Sequence, residues 1–354
     1  VGSSLIYFKG DEMDPIARRM QSAVNDTIEN DDRKFTLLDR GPVNTGLARA
    51  TIRHFGARAM ILETTFKDQP LSLRTRQQRT LVNVLMRHIG MIDRDCVDVL
   101  ASRDAAVTTI GLYDAGGTGG AGVRNVTNIL DATPNVVVHH LGPADLRDAV
   151  LAPFDAVIFP GGSGSRQAAA IGEDGRKAVQ RFVKTGGGYL GICAGAYLCS
   201  AHYDWSLHLV DTACFNKTVD IPGVGKKSMW YRGKATTLPM ELTKQGKAIF
   251  GDVPLKVDVR YHNGPIVSPK GKTDLPTYLP LAHFRGEQVR YEPQRGTMIG
   301  SPAIVASRFG DGRVIAISPH PESTPDLHPI VRGSVRWVTK QQTQDRAPVG
   351  DLQE

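Results

Sequence analysis

The sequence predicts an α/β fold: a doubly wound, mostly parallel sheet with helices on both faces, preceded by a smaller, partial α/β segment. Three observations carry this. Beyond residue 106, apolar runs of strand length alternate with stretches of helical period. Those runs are nearly continuous in Val, Ile, Leu and Phe, as expected of strands buried on both faces. Residues 186–197, Gly-Gly-Gly-Tyr-Leu-Gly-Ile-Cys-Ala-Gly-Ala-Tyr, read as a buried strand, a sharp turn at Cys193 and the start of a helix.

A length of 354 residues suits about two domains. Hydrophobic content of 41% with 22% charged residues is that of an ordinary globular protein. The net charge of +7 is spread without a Lys/Arg block, so no nucleic-acid partner is expected. No apolar run is long enough for a membrane span. Four cysteines, none in a Cys-x-x-Cys pair, make no disulfide framework. A reduced, cytoplasmic setting is the default expectation, with export if a signal peptide was removed upstream. Oligomeric state is not readable.

Elements are expected in the first part as follows: a strand at 4–8, a helix from Asp14-Pro15 to about 28, and a strand at 35–38. A helix at 46–54, a strand at 57–63 ending in Glu63, and a helix at 73–89 come next. The run Ala59-Met-Ile-Leu-Glu-Thr-Thr65, with Arg74, Arg76 and Arg79 after it, resembles the C-terminal part of a zinc carboxypeptidase-like domain of the succinylglutamate desuccinylase/aspartoacylase group. That resemblance covers residues 1–92 and implies a general-base role for Glu63 beside zinc. No histidine here is followed by Glu at the third position, so the zinc ligands are expected upstream of Val1. Glu63 is then an incomplete metal-site base, and no metal or cofactor is expected in this chain. Residues 93–105 form a polar linker.

The second domain spans 106–340. Its strands are expected at 107–113, 135–140, 154–159, 188–192, 303–305 and 314–317. Its helices are expected at 123–130, 145–151, 173–184 and 327–339, and the tail 341–354 is expected to be disordered. Gly117-Thr-Gly-Gly-Ala-Gly122 fits a G-x-G-x-x-G pattern, but no acidic residue ends the next strand. It is read as a glycine-permitted turn rather than a nucleotide site. Residues 203–300 form a β-rich insertion of hairpins over the strand ends, with strands near 205–210, 228–232, 255–261 and 278–284. Two polar-aromatic clusters in it, around Trp230 and around Tyr261, His262 and Asn263, are either tight turns or pocket walls.

Gly191-Ile-Cys193-Ala-Gly195 has the spacing of a nucleophile elbow. A nucleophile on so tight a turn needs glycine two residues to either side, where a side chain would collide with the neighbouring strand and helix. Ser318-Pro-His320-Pro-Glu322 follows another apolar strand. His320 can take the thiol proton and Glu322 can orient the ring. Parallel strands end along one edge, so the two segments can meet there. The backbone N–H groups of Ala194 and of Gly162 or Ser163 are candidate oxyanion donors. Gly161 and Tyr197 join Trp230, Tyr261, His262 and Asn263 as pocket candidates.

The set Pro160-Gly-Gly, Gly-Ile-Cys-Ala-Gly and Ser-Pro-His-Pro-Glu strongly resembles the class I glutamine amidotransferase-like fold, which is flavodoxin-like. Within it the chain is most similar to the biotin–protein ligase N-terminal-domain family. The resemblance covers about residues 106–338 and implies nucleophile, base and orienter at Cys193, His320 and Glu322. Glutamine-hydrolysing members carry a bulky residue after the nucleophile and a Gln two places past the second elbow glycine. Ala194 and Tyr197 stand there instead, so glutamine is not the expected substrate. No biotin-ligase catalytic segment is read in the chain. The expected activity is a cysteine hydrolase or amidotransferase-like one on a small amide, ester or peptide. The alternatives are a non-catalytic ligand-binding or regulatory module, and a fragment of a zinc carboxypeptidase-like hydrolase fused to this domain.

Overall fold

The computed structural model describes residues 4–7, 11–26, 28, 31–39, 54–65, 71–91, 107–147, 151 and 154–339. The expected linker 93–105, the tail 341–354 and nearly all of the helix expected at 46–54 lie outside these. The chain divides into two compact units, Val1–Arg103 and Asp104–Glu354.

In the first unit, strands β1 (Leu5–Tyr7), β2 (Thr36–Leu38) and β3 (Ile61–Glu63) form a small sheet in the order β2-β1-β3. β2 runs parallel and β3 antiparallel to β1. Pro15 sits in the first turn of the helix Asp14–Asn25, which buries Ile16, Ala17, Met20 and Val24. Leu81 of the helix Leu71–His88 packs into the same cluster. The first helix stops three residues short of expectation for a local reason. Asn25 turns its side chain onto the backbone of Phe35, accepting from its N–H at 2.7 Å and donating to its carbonyl at 3.1 Å.

In the second unit, β4 (Thr108–Tyr113), β5 (Val136–Leu141), β6 (Ala156–Phe159) and β7 (Gly188–Ile192) alternate with helices, as expected. Three short strands follow: β8 (Thr212–Cys214), β9 (Thr218–Ile221) and β10 (Gly225–Ser228). Then come β11 (Thr236–Leu242), β12 (Lys256–Tyr261), β13 (Val267–Pro269), β14 (Leu279–Phe284), β15 (Pro302–Phe309) and β16 (Gly312–Ile317). Among the described residues, nine strands form one sheet in the order β12-β11-β14-β15-β16-β7-β6-β4-β5. The run from β16 to β5 is parallel throughout. The other four strands continue it antiparallel, so only β15 and β11 oppose the common direction.

The insertion differs from expectation. β11, β12 and β14 do not lie over the sheet; they extend it. Only the pairs β8–β13 and β9–β10 stand apart. Residues 205–210 form no strand, and β10 ends at Ser228, where 228–232 was expected to continue. The strand at β11 alternates buried and exposed positions around Pro239, a residue that argues against a strand by sequence. The helix expected at 173–184 begins at Gly164 and is interrupted at Gly172, whose φ is 70°, so the expected span corresponds to the part after the break. The core of this unit runs under both halves of the sheet, from Ile110 and Ile158 through Ile192 and Ile315 to Met240 and Phe284.

Candidate active site

Parallel pairing brings the functional segments to one edge. Ile192 is in register with Ile317, and Gly191 with Phe159. Cys193, the Pro160–Gly162 loop and His320 therefore leave adjacent strand ends. The Cys193 N–H donates to the Ile317 carbonyl at 2.8 Å, which fixes the start of the turn.

Cys193 has φ 50° and ψ −94°, a conformation that costs energy for a residue with a Cβ. The surroundings hold it there. A Cβ on Gly191 would come within 2.4 Å of the Gly195 carbonyl, and one on Gly195 within 2.1 Å of the Phe159 oxygen. Both elbow glycines are thus demanded by close backbone approach. The buried Tyr189 hydroxyl donates to the Gly195 carbonyl at 2.8 Å and braces the turn from below.

His320 and Glu322 are both buried. His320 Nδ1 donates to Glu322 Oε1 at 2.7 Å. Burial lowers the His320 pKa, but the Cys193 sulfur and then the Glu322 carboxylate more than offset that, and the imidazole is pushed up to about 10. His320 Nε2 makes no other hydrogen bond. The Cys193 thiol donates at 3.6 Å to the His262 carbonyl, while its sulfur lies close enough to His320 to raise the imidazole. Gly161 lies next to both side chains. A Cβ there would lie 3.1 Å from His320 Cε1 and 3.9 Å from Cys193 Cβ.

The two oxyanion alternatives in the Pro-Gly-Gly loop are separated by its pairing. The Ser163 N–H donates to the Gly117 carbonyl at 2.7 Å and the Gly119 N–H to the Gly161 carbonyl at 3.1 Å. Ser163 is therefore committed and is corrected as a donor. Gly162 faces Thr118 in this bridge as the residue between those bonds. Its own N–H points away from the bridge. Gly162 is exposed, with φ 141°, and lines the cavity. Ala194 opens the short helix Ala194–Leu198, so its N–H has no carbonyl within that helix. The glycine-rich loop of 117–122 thus serves to clamp the Pro-Gly-Gly loop. A Cβ on Gly117 would fall 2.3 Å from the Gln167 nitrogen. The Gln167 side chain in turn donates to the Pro160 carbonyl at 2.9 Å.

Cys193, His320 and Glu322 open into a cavity of about 1000 Å³. Gly161, Ser163, Tyr197, Trp230, His262 and Asn263 line it. Tyr261 does not: it is fully buried, edge-on to Phe284, with its hydroxyl donating to the Gly264 carbonyl at 2.8 Å. It is a core residue because alternation along β12 turns it inward with Val259.

The polar-aromatic clusters are both turns and walls. Asn263, at φ 57°, accepts from the Arg232 N–H at 2.7 Å and donates to the Gly233 carbonyl at 2.9 Å. Its own carbonyl accepts from the Tyr197 hydroxyl at 3.1 Å. Arg232, almost fully buried, donates to the Gln288 carbonyl and the Thr297 hydroxyl, and Gln294 donates to the Met229 and Tyr231 carbonyls. Sequence reading placed Arg232 in the Trp230–Gly233 cluster but missed Gln294, Tyr203 and Trp205. Isolated polar or aromatic residues in a turn-rich stretch carry no period that would single them out.

Residues 109–347 match the family described as "Biotin-protein ligase, N terminal". The chain belongs to that family. No curated protein matches it. Among solved structures, PurLQS from Thermotoga maritima is similar at 13% identity and a TM-score of 0.44, covering 65% of this chain and 99% of that one. A glutamine amidotransferase from Thermotoga maritima is similar at 10% identity and a TM-score of 0.43, covering 66% and 98%. The family match lies within the second unit and leaves the first uncovered. There, Glu63 is exposed at the end of β3. Among the described residues no three His, Cys, Asp or Glu side chains converge as a metal site requires. No helix among them is long and apolar enough to cross a membrane.

Proposed function

We propose that this domain is a cysteine-nucleophile hydrolase or amidotransferase-like enzyme acting on a small amide, ester or peptide. The observation that carries the reading is the strained Cys193 beside a buried His320–Glu322 pair, with all three open to one cavity. His320 takes the thiol proton, and Cys193 Sγ attacks the substrate carbonyl carbon. The N–H groups of Gly162 and Ala194 receive the charge that develops on the carbonyl oxygen, each contributing roughly 3–4 kcal/mol in the transition state. Collapse breaks the bond to the leaving nitrogen or oxygen, which takes the proton from His320. Water, giving a proton to His320, then attacks the thioester, and the acid departs as Sγ regains the proton.

A binding-only module is the competing reading. It is favoured by the thiol's bond to the His262 carbonyl and by Tyr197 at the position where glutamine-hydrolysing relatives carry Gln. The deciding experiment is a screen of amides, esters and short peptides against the wild-type protein and Cys193→Ala, with mass spectrometry of quenched reactions. A Cys193-dependent product or a covalent acyl adduct supports the enzyme. Ligand binding without either overturns it.

A further inference from the structure

We propose that the substrate of this site carries a carboxylate, held by Arg260, together with a planar apolar group that packs on an aromatic wall. The word substrate rests on the cysteine-hydrolase reading; the recognition itself stands on the cavity.

Arg260 is the only Lys or Arg among the described residues that line the cavity. It is half-buried, and no hydrogen bond or ion pair of its guanidinium is found among the described residues. Its backbone is locked to the segment that carries the base. The Arg260 carbonyl accepts from the His320 N–H at 2.7 Å, and the Arg260 N–H donates to the Thr324 hydroxyl at 3.3 Å. The backbone that carries this cation is thus one hydrogen bond from that of His320. Among the described residues the only carboxylate lining the cavity is Glu322, which is already turned onto His320. Arg260 therefore lines the cavity without a counterion among the described residues. A lone planar guanidinium suits a single carboxylate, which it can hold through two parallel hydrogen bonds.

The opposite requirement comes from the aromatic side chains. Tyr203 and Trp205 stack on each other, with ring centroids 4.5 Å apart and planes 12° from parallel, and both line the cavity. Trp230 and Tyr231 line it too, yet remain 43% and 37% exposed. Large aromatic surface left open around a cavity is a surface for a ligand. The volume, about 1000 Å³, is far more than a bare amino-acid amide needs. An N-acylated aromatic amino acid has both required parts.

The test uses Cys193→Ala protein, so that turnover plays no part. Calorimetry compares N-benzoylphenylalanine with its neutral carboxamide. The acid is expected to bind roughly tenfold tighter or more. Arg260→Gln should bring the two within about twofold, and Arg260→Lys should restore part of the difference. Equal affinity of acid and amide, a preference that survives Arg260→Gln, or no binding of either would overturn the proposal. Absence of turnover by the Cys193 protein, with the carboxylate preference intact, would instead count against the hydrolase reading.

Discussion

His320 and Glu322 are joined by one short hydrogen bond, 2.7 Å from Nδ1 to Oε1, inside a site that excludes most water from both. This leaves Nε2 as the nitrogen available to the thiol. Replacing Glu322 by Gln keeps the shape but removes the charge that favours imidazolium. It should lower kcat/KM on any Cys193-dependent substrate by roughly 100- to 10,000-fold. Unchanged kinetics in Glu322→Gln would remove Glu322 from the mechanism.

The raised pKa of His320 also predicts a pH dependence of stability. The folded value, about 10, lies above the ordinary histidine value. The folded state therefore holds the proton more tightly than the unfolded chain. The resulting stabilisation is fully present below about pH 6.5 and is lost as the pH rises to about 10. Urea denaturation across that range should show this decline in the wild type and a flatter profile in His320→Ala. Parallel profiles would contradict the assignment.

Cysteine alkylation should discriminate sharply. Cys199 and Cys214 are buried away from the cavity, and burial raises both thiols, Cys214 to about 12. Cys193 lines the cavity. Iodoacetamide near neutral pH should label Cys193 first, as read by peptide mass spectrometry, and His320→Ala should slow that labelling. Labelling of Cys199 or Cys214 at the same rate in the folded protein would defeat the idea. Cys96 lies outside the described residues.

Two glycines of the site should respond differently to alanine. At Gly195 a Cβ meets fixed backbone at 2.1 Å, so Gly195→Ala should cost about 3 kcal/mol or more in chemical denaturation. At Gly161 the Cβ presses on the His320 ring at 3.1 Å. Gly161→Ala should depress turnover while leaving Tm nearly unchanged. A large loss of stability there would show that Gly161 serves packing rather than positioning.

Asn263 joins the two clusters through paired bonds to Arg232 and Gly233. Asn263→Ala leaves those buried groups unpaired and should destabilise by roughly 1–3 kcal/mol for the lost bonds, with more for the positive φ. Asn263→Gly keeps the backbone conformation and should recover about 1 kcal/mol of that difference. Equal stabilities of the two variants would mean that φ 57° carries no strain.

Much of this protein was legible in its residues. Continuous apolar runs marked β4, β6, β7 and β16, because strands buried on both faces need no polar side. Glycines two residues either side of Cys193 marked the elbow, because local crowding there allows nothing larger. Sequence alone could also pair His320 with Glu322, two residues apart across a proline. What it could not decide depends on contacts between distant segments. That Ser163 is spent on Gly117 while Gly162 is free follows from a bridge between two loops. That Tyr261 belongs to the core follows from the face β12 turns inward, and that β11 and β12 widen the sheet follows from pairing with β14. The opening of Arg260 and the aromatic side chains into the same cavity as Cys193 was likewise a matter of tertiary structure. Strand order and sidedness are set by long-range pairing, and no local pattern of residues encodes them.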